Sequence, residues 1–248
     1  FNALTGSNQR VGNWSGVTVE KKTGHFTLSN NQNVKVIDLP GIYNLDYDQF
    51  GSSIDERVAF EYIMQSKPDI VMNIIDASCL ERSLYLTLQL LELGLPVLVV
   101  LNKMDLADKQ HLAINEYSLN QQLGCPVVSL SAHDQQAVKQ LADTFGNLEL
   151  DNFKKDFCLD YGVDLQSVIE QTSQLIPFNS HLKRIALAIK CIENDHLILQ
   201  GFNDQDKNKI KQLRDSLDID IDLQIADVRY TFIYRLTQQA VRVKGHLN

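Results

Sequence analysis

The sequence is short of proline, glycine and long apolar runs, and each shortage excludes a class of protein. Five prolines and 12 glycines in 248 residues are too few for a disordered or collagen-like chain. Apolar runs such as LPVLVVL at 95–101 fall well short of the roughly 18 residues that a membrane-spanning helix needs. Phe1–Gly6 has no basic flank or long apolar core, so no signal peptide is predicted. These features predict a folded, soluble chain.

Positive charge and paired cysteines are also scarce. The chain has 23 Lys and Arg against 31 Asp and Glu, a net charge of -8, which disfavours nucleic acid as the main partner because duplex binding depends on cationic side chains. The four cysteines include no C-x-x-C pair, so neither a zinc site nor a disulfide framework is indicated and a reducing, cytosolic setting fits best. The six histidines form no ligand spacing, and nothing marks an iron site.

Strands and helices alternate in the first 150 residues. The strands predicted are HFTLS and NVKVID, which form a hairpin, and then DIVMNIID, PVLVVLN and PVVSL; helices are predicted near 54–65, 80–93, 113–123 and 134–145. Ser53 with Glu56, and Ser78 with Glu81, have capping-box spacing. Continuous apolar strands alternating with amphipathic helices predict a doubly wound, mainly parallel α/β sheet of the Ras-like kind. Ligands of such sheets bind beyond the carboxyl ends of the strands.

The rest of the chain is predicted to be helical. Four or five amphipathic segments follow Leu150, the last running from Ile219 to Val243, with apolar residues three and four positions apart. We therefore expect a nucleotide-binding domain at 1–149 and an all-helical domain at 150–248.

Three short motifs follow predicted strands. They are Asp38-x-x-Gly41, Asn102-Lys103-Met104-Asp105, and Ser131-Ala132. Each alone is compatible with an ordinary turn, since Pro-Gly after an apolar run marks a turn in any protein. Their order and their common place at strand ends predict a guanine-nucleotide-binding domain.

The residue types suit that ligand. Guanine presents two adjacent hydrogen-bond donors, and the Asp105 carboxylate can accept both as a bidentate pair. Adenine does not present this pair of donors. Asn102 would join neighbouring loops, the Lys103 stem would cover the base, and the Ala132 amide would meet the guanine oxygen.

The phosphate side is predicted around Asp38. This carboxylate would hold Mg²⁺ through water, and the Gly41 amide would face the γ-phosphate. Thr18 would supply a hydroxyl to Mg²⁺ and an amide to the γ-phosphate, although an ordinary threonine at a strand entry is a rival interpretation. Catalysis is assigned to Thr18 and Gly41. The full predicted nucleotide contacts are Gly16, Val17, Thr18, Val19, Glu20, Asp38, Leu39, Pro40, Gly41, Asn102, Lys103, Met104, Asp105, Ser131, Ala132 and His133.

Four segments carry a family resemblance: VGNWSGVTVE, DLPGIYNL, LERSLYLTLQLLELGLPVLVVLNKMD and ADVRYTFI. With them the chain resembles the cytosolic region of the bacterial ferrous iron transport protein B family. The resemblance implies a GTPase domain and a helical domain like a guanine nucleotide dissociation inhibitor, placed before a polytopic membrane segment. It further implies a slow GTPase with Mg²⁺, on the cytoplasmic face of the inner membrane, controlling iron uptake through its own transmembrane domain. A homo-oligomer in the membrane is compatible with it.

The chain departs from that family at three points. The phosphate loop G-x-x-x-x-G-K-[ST] is not among these residues, and we expect it to end just before Phe1, so that the chain begins inside a domain. Ser15 stands where the family usually has proline, which frees φ in the switch loop. Ile42 stands where Ras-like enzymes place a glutamine that orients water, which isoleucine cannot do.

The resemblance also implies potassium stimulation. In such relatives a K⁺ ion is thought to neutralise charge in the transition state. By this resemblance the backbone carbonyls of Gly12 and Trp14 would hold the ion. A cation at that position would replace an arginine finger. Two alternatives stay open. One is a regulatory nucleotide-binding module with incidental hydrolysis, and the other is a free cytosolic GTPase for ribosome or tRNA work.

The carboxyl end carries Arg229, Arg235, Arg242 and Lys244 with no acid after Asp227. Basic residues are typical of cytoplasmic segments beside a transmembrane helix, although a solvated helical face is the plainer interpretation. We expect a transmembrane span within a few tens of residues after Val243.

Overall fold

The architecture is described from a computed structural model. It describes residues 1–6, 9–14, 17–28, 30–45, 54–130, 135–148, 153, 157–177 and 180–244. The predicted contacts Gly16, Ser131, Ala132 and His133, the loop residue Ser15 and the capping residue Ser53 lie outside these ranges.

Antiparallel strands open the fold. A short helix α1 (Asn2–Thr5) is followed by β1 (Gln9–Asn13), β2 (Glu20–Thr27) and β3 (Asn33–Asp38) in the order β1-β2-β3. The β2–β3 hairpin confirms the one predicted from sequence, and its register places Lys22 opposite Asp38. Strand β1 was not predicted, because the residues before Thr18 had been interpreted as a loop.

A parallel sheet forms the centre of the fold, as predicted. Its strands are β4 (Val71–Asp76), β5 (Val97–Asn102) and β7 (Val127–Ser129), in the order β4-β5-β7. Val97, Val99 and Leu101 of β5 pack into the large core, whereas Leu98 and Val100 face a second cluster with Leu141. Strand β5 is therefore covered on both faces, which explains why its sequence is continuously apolar.

Helices cover this sheet. They are α2 (Ile54–Gln65), α3 (Leu80–Glu92), α4 (Met104–Lys109), α5 (Glu116–Leu123) and α6 (Gln135–Gly146). Two sequence expectations were wrong here. The N-cap of α3 is Cys79, which makes no side-chain cap hydrogen bond, so Ser78 is not the cap; Asp76 caps the preceding 3₁₀ turn by accepting from the Ser78 amide. The helix expected from Ala113 starts later, at Glu116 with Asn115 as its cap, because residues 112–114 form a strand.

The second half is helical, as predicted. Its helices are α7 (Val163–Gln174), α8 (Arg184–Ile192), α9 (His196–Leu199), α10 (Asp204–Asp215) and α11 (Ile221–Ala240). The last helix was expected to continue to Val243, but the chain leaves it at Val241 and forms strand β8 (Val241–Val243), antiparallel to β6 (Leu112–Ile114). A domain boundary near residue 150 stays a prediction.

A buried ionic cluster joins the two halves. Arg229 on α11 is only 1% exposed; its guanidinium donates to Glu92 on α3 at 3.1 Å and to Glu193 after α8 at 3.0 Å. The Tyr161 hydroxyl donates to the other Glu92 oxygen. Burial opposes the charge of Arg229, but the two carboxylates outweigh it and hold its pKa well above the ordinary value. Isolated buried charges are costly, so the members of this cluster depend on one another.

The cluster changes the interpretation of the basic carboxyl end. Arg229 is buried rather than solvated, and Lys244 pairs with Asp108 at 3.0 Å. Two of the four cations are therefore engaged within the fold and do not form a free basic face. No helix within the described ranges is both long and apolar enough to cross a membrane.

Asp195, the cap of α9, has an unusual environment that yields a pH prediction. One carboxylate oxygen accepts the Leu197 and Ile198 amides, and the other is buried without a hydrogen-bond partner. Burial raises the pKa of Asp195 to about 6. The positive charge of Lys190 opposes this increase, and the negative charge of Glu193 adds to it. The folded state therefore binds this proton more tightly than the unfolded state, and stability falls as the pH rises from about 4 through about 6.

Asp195→Asn keeps a good capping oxygen and removes the buried charge. We expect the variant to be more stable than the parent by about 1–3 kcal/mol at pH 8, with the difference shrinking as the pH falls through 6 and reaching zero only below about pH 4. Urea unfolding across pH measures this. The matched control is Asp220→Asn, at the exposed cap of α11. A pH-independent difference for Asp195→Asn would contradict the prediction.

Candidate functional site

One groove beyond the carboxyl ends of β4 and β5 contains part of the predicted motifs, Asn102 and Lys103, whereas Thr18, Asp38, Gly41 and Asp105 do not line it. It has a volume of about 240 Å³ and brings the residues after Gly41 beside Asn102 and Lys103. The lining residues are Ile42, Tyr43, Asn73, Ile74, Ile75, Asp76, Ser83, Leu86, Asn102 and Lys103. Parallel strands bring their carboxyl ends to one edge, where such sheets bind ligands.

The backbone turns sharply at the base-recognition motif Asn102–Asp105. Asn102 ends β5, and its side chain accepts a hydrogen bond from the Lys103 amide at 2.9 Å. Lys103 has a left-handed backbone with φ 59° and starts α4. Asp105 lies in the first turn of α4 and is exposed. Its carboxylate is therefore accessible from solvent, although it does not line the groove.

Asp76 also belongs to this site, although sequence reasoning had not selected it. It ends β4 and accepts a hydrogen bond from the Lys103 ammonium at 2.7 Å, and it is itself fixed by the Ser78 amide at 2.9 Å. The Lys103 and Ser78 hydrogen bonds lower the pKa of Asp76. The same rule that selected Asp38 and Asn102, polar residues at strand ends, would have found it.

The phosphate side is exposed. Asp38 ends β3, Thr18 follows β1 in a bend, and both side chains are accessible. No heavy atom lies within 4 Å of the position that a Cβ on Gly41 would take, so a ligand can approach this backbone. A carboxylate and a hydroxyl are hard oxygen donors that suit Mg²⁺, which takes one or two protein ligands and completes its shell with phosphate oxygens and water.

The other predicted phosphate-side contacts lie nearby in the chain. Val17 and Val19 are half-buried between β1 and β2, Glu20 starts β2, and Leu39 and Pro40 are half-buried after β3. Within the part of the chain that the structure describes, no three His, Cys, Asp or Glu side chains group as metal ligands.

The predicted potassium ligands are engaged within the first hairpin. The Trp14 carbonyl accepts the Val17 amide at 3.3 Å, and Gly12 pairs with Lys21 across the β1–β2 ladder. The Trp14 ring is buried against Tyr62 of α2, with the Lys21 ammonium 4.4 Å from its centre. In this arrangement the Trp14 carbonyl already accepts one hydrogen bond and Gly12 lies within the β1–β2 ladder.

The loop after Gly41 is anchored at Leu45, a contact that sequence reasoning missed. The Leu45 amide donates to the Gln89 side chain of α3 at 2.7 Å, and the Leu45 carbonyl accepts from the Lys190 ammonium of α8 at 2.7 Å. All three residues are less than 5% exposed. The signal in the sequence was a single lysine inside the apolar run IALAIKCI.

The comparisons with known proteins agree with this geometry. Residues 1–145 match the family model described as "Ferrous iron transport protein B", and residues 161–242 match "FeoB cytosolic helical domain". The chain belongs to the ferrous iron transport protein B family. The "Fe(2+) transporter FeoB" of Escherichia coli K12 is 39% identical over 240 residues, and that of Salmonella typhi is 38% identical over 242. This FeoB-family chain is 94% covered in both comparisons but spans only about 30% of the length of these curated relatives.

Solved structures show the same fold. The cytosolic domain of T. maritima FeoB in GMPPNP form superposes with a TM-score of 0.82 at 30% identity, covering 98% of this chain and 93% of that one. A mutant S. thermophilus NFeoB bound to GDP gives 0.85 at 34%, covering 97% and 93%. The FeoB-family chain therefore has the fold of domains solved with guanine nucleotides.

Proposed function

We propose that the chain is the GTP-binding and GTP-hydrolysing switch of a ferrous iron transporter. The observation that carries the proposal is the single groove shared by the segment after Asp38-x-x-Gly41 and by Asn102-Lys103. Relatives of the same fold have been solved in GMPPNP and GDP forms, which supports guanine nucleotide as the ligand of this groove.

The residues have distinct roles in this proposal. Asp105 accepts the two guanine donors, while Asn102, Lys103 and Met104 shape the base pocket with Ser131, Ala132 and His133. Asp38 and Thr18 hold Mg²⁺, which neutralises phosphate charge when bound. The Gly41 amide and the backbone at 16–20 meet the γ-phosphate, so the loop between Gly41 and Leu45 senses its presence.

The contact at Leu45 offers a route from nucleotide to helical domain. One end of the 41–45 loop faces the phosphate side, and the other is held by Lys190 of α8. A loop movement that follows γ-phosphate loss has to carry Lys190 with it or break a buried hydrogen bond. Breaking it would leave a buried ammonium with fewer partners, which is costly. We infer that the helical domain follows the nucleotide state and passes it to a transmembrane domain beyond these residues, at the cytoplasmic face of the inner membrane.

Potassium stimulation is part of this proposal, with the backbone carbonyls of Gly12 and Trp14 as the ligands of the ion. Ile42, beside the groove, has no group to orient water. The competing function is a nucleotide-dependent binding module with incidental hydrolysis.

GTP turnover in K⁺ and in Na⁺ at equal ionic strength tests the function. The protein is used at the full length that its gene encodes. We expect turnover to be at least about tenfold faster in K⁺, because a cation at developing charge replaces an arginine finger. Thr18→Ala should lower hydrolysis at least tenfold and leave GDP affinity within about twofold, since Thr18 serves only the γ-phosphate state.

Equal, slow turnover in both salts would favour the binding module. Equal losses of GDP and GTP affinity in Thr18→Ala would assign Thr18 a structural role instead.

A further inference from the structure

The chain that leaves the helical domain returns to the guanine-recognition segment. Strand β8 pairs with β6, and the ladder extends at both ends: the Asn115 amide donates to the Ala240 carbonyl at 2.7 Å, and the Lys244 amide donates to the His111 carbonyl at 2.7 Å. The Lys244 ammonium reaches Asp108 at 3.0 Å. Asp108 lies on α4, three residues after Asp105.

Helix α4 depends on such outside contacts. It has six residues, and helices shorter than about 12 residues are not stable alone in water. It starts from the left-handed Lys103, and within it only Ala107 is fully buried. The chain runs from α4 directly into β6, with the His111 amide bonded to the Asp108 carbonyl at 3.0 Å. The position of Asp105 is therefore set by its surroundings.

The backbone ladder is the stronger of the two contacts from the carboxyl end. The side chains of Lys244 and Asp108 are 53% and 61% exposed, and exposed ion pairs contribute little. The ladder instead places Leu112, Ile114 and Val241 against the main core. Breaking the pairing would release β6 from one side and leave α4 without that support.

We propose that strand β8 positions the guanine-reading helix α4, so that displacement of the chain after α11 lowers affinity for guanine nucleotides. The inference rests on the proposed function, because it takes Asp105 as the guanine ligand. The inference adds a structural connection from the end of the helical domain to the guanine-binding helix α4. This connection is separate from the one at Leu45, which acts on the phosphate side.

Proline substitution in β8 tests the proposal. Hydrogen-bonded pairs alternate with non-bonded pairs along an antiparallel ladder. Since His111–Lys244 and Asn115–Ala240 are bonded pairs, Ala113–Arg242 is the bonded pair between them. Arg242→Pro removes that amide, and Arg242→Ala is the control that keeps it. In the full-length protein we expect GDP and GTP to dissociate about fivefold faster from Arg242→Pro than from Arg242→Ala. Single-turnover hydrolysis at saturating GTP should stay within twofold, which separates positioning from a general structural defect.

A reversible cross-link tests whether strengthening the β6–β8 pairing slows nucleotide dissociation. Leu112 and Val243 face each other as a non-bonded pair, where side chains are closest and suit a disulfide. In Leu112→Cys with Val243→Cys, oxidation should slow GDP dissociation relative to the reduced protein, and reduction should restore it.

Unchanged dissociation in both variants would overturn the inference. Absence of guanine-nucleotide binding in the parent protein would overturn the proposed function instead.

Discussion

Asp105→Asn is expected to lower the affinity for GTP and GDP by at least about 100-fold and to raise the affinity for xanthine nucleotides. The carboxylate accepts two hydrogen bonds from guanine, and an amide offers a donor where the guanine amino group needs an acceptor. Xanthine has an oxygen at that position, which the amide can meet. A buried donor left without a partner costs roughly 1–3 kcal/mol in addition to the lost bond, which gives the expected size.

The measurement is a titration of the parent and variant with GDP and with xanthosine diphosphate. The matched control is Asp69→Asn, an exposed aspartate at the amino end of β4, away from the groove. Control affinities should equal those of the parent. Unchanged GDP affinity in Asp105→Asn would refute the assignment of Asn102–Asp105 as the base-recognition motif.

The second large effect is on stability. Arg229→Met should destabilise the fold by about 3–5 kcal/mol, because it removes the cation beside the buried Glu92 and leaves Glu193 with the more distant Lys190. For a chain of this length the loss corresponds to roughly 10 °C in Tm. The control is Arg235→Met, exposed on the same helix, for which a change within about 0.5 kcal/mol is expected.

A double variant identifies the cause of that loss. Adding Glu92→Gln to Arg229→Met removes one of the uncompensated charges, and the pair should recover part of the stability. If Arg229→Met proved no less stable than Arg235→Met, the cluster would not join the two halves. Urea unfolding of all three variants, with the parent as reference, decides between these results.

The site could be predicted from sequence because its chemistry lies in short contiguous segments. The strand that ends at Asp38 was recognisable from its alternating pattern, and the strand that ends at Asn102 from its apolar run. The parallel strands β4 and β5 end at one edge and bring Asp76 beside Asn102 and Lys103, whereas Asp38 ends a strand of the separate antiparallel sheet. Asp76 also lies at the end of a strand, but it was not predicted because it belongs to no named motif.

The errors fall where the deciding partner is distant in the chain. Ala113 has a helical pattern around it, but it pairs with Arg242 in a strand. Arg229 was counted with a basic surface, whereas Glu92, 137 residues away in the sequence, draws it into the core. Local periodicity contains no information about such partners.

The sequence by itself determined the hairpin β2–β3, the parallel strands and their helices, the nucleotide motifs at the strand ends and the helical character of the second half, but not the strands β1, β6 and β8. These follow from side-chain patterning over a few residues and from functional groups that must suit guanine and phosphate. The tertiary structure alone decided that Lys190 holds Leu45, that Arg229 is buried and that β8 returns to β6. Burial of a charge or pairing of a strand depends on which distant groups offer compensation, and that is settled only when the whole chain packs.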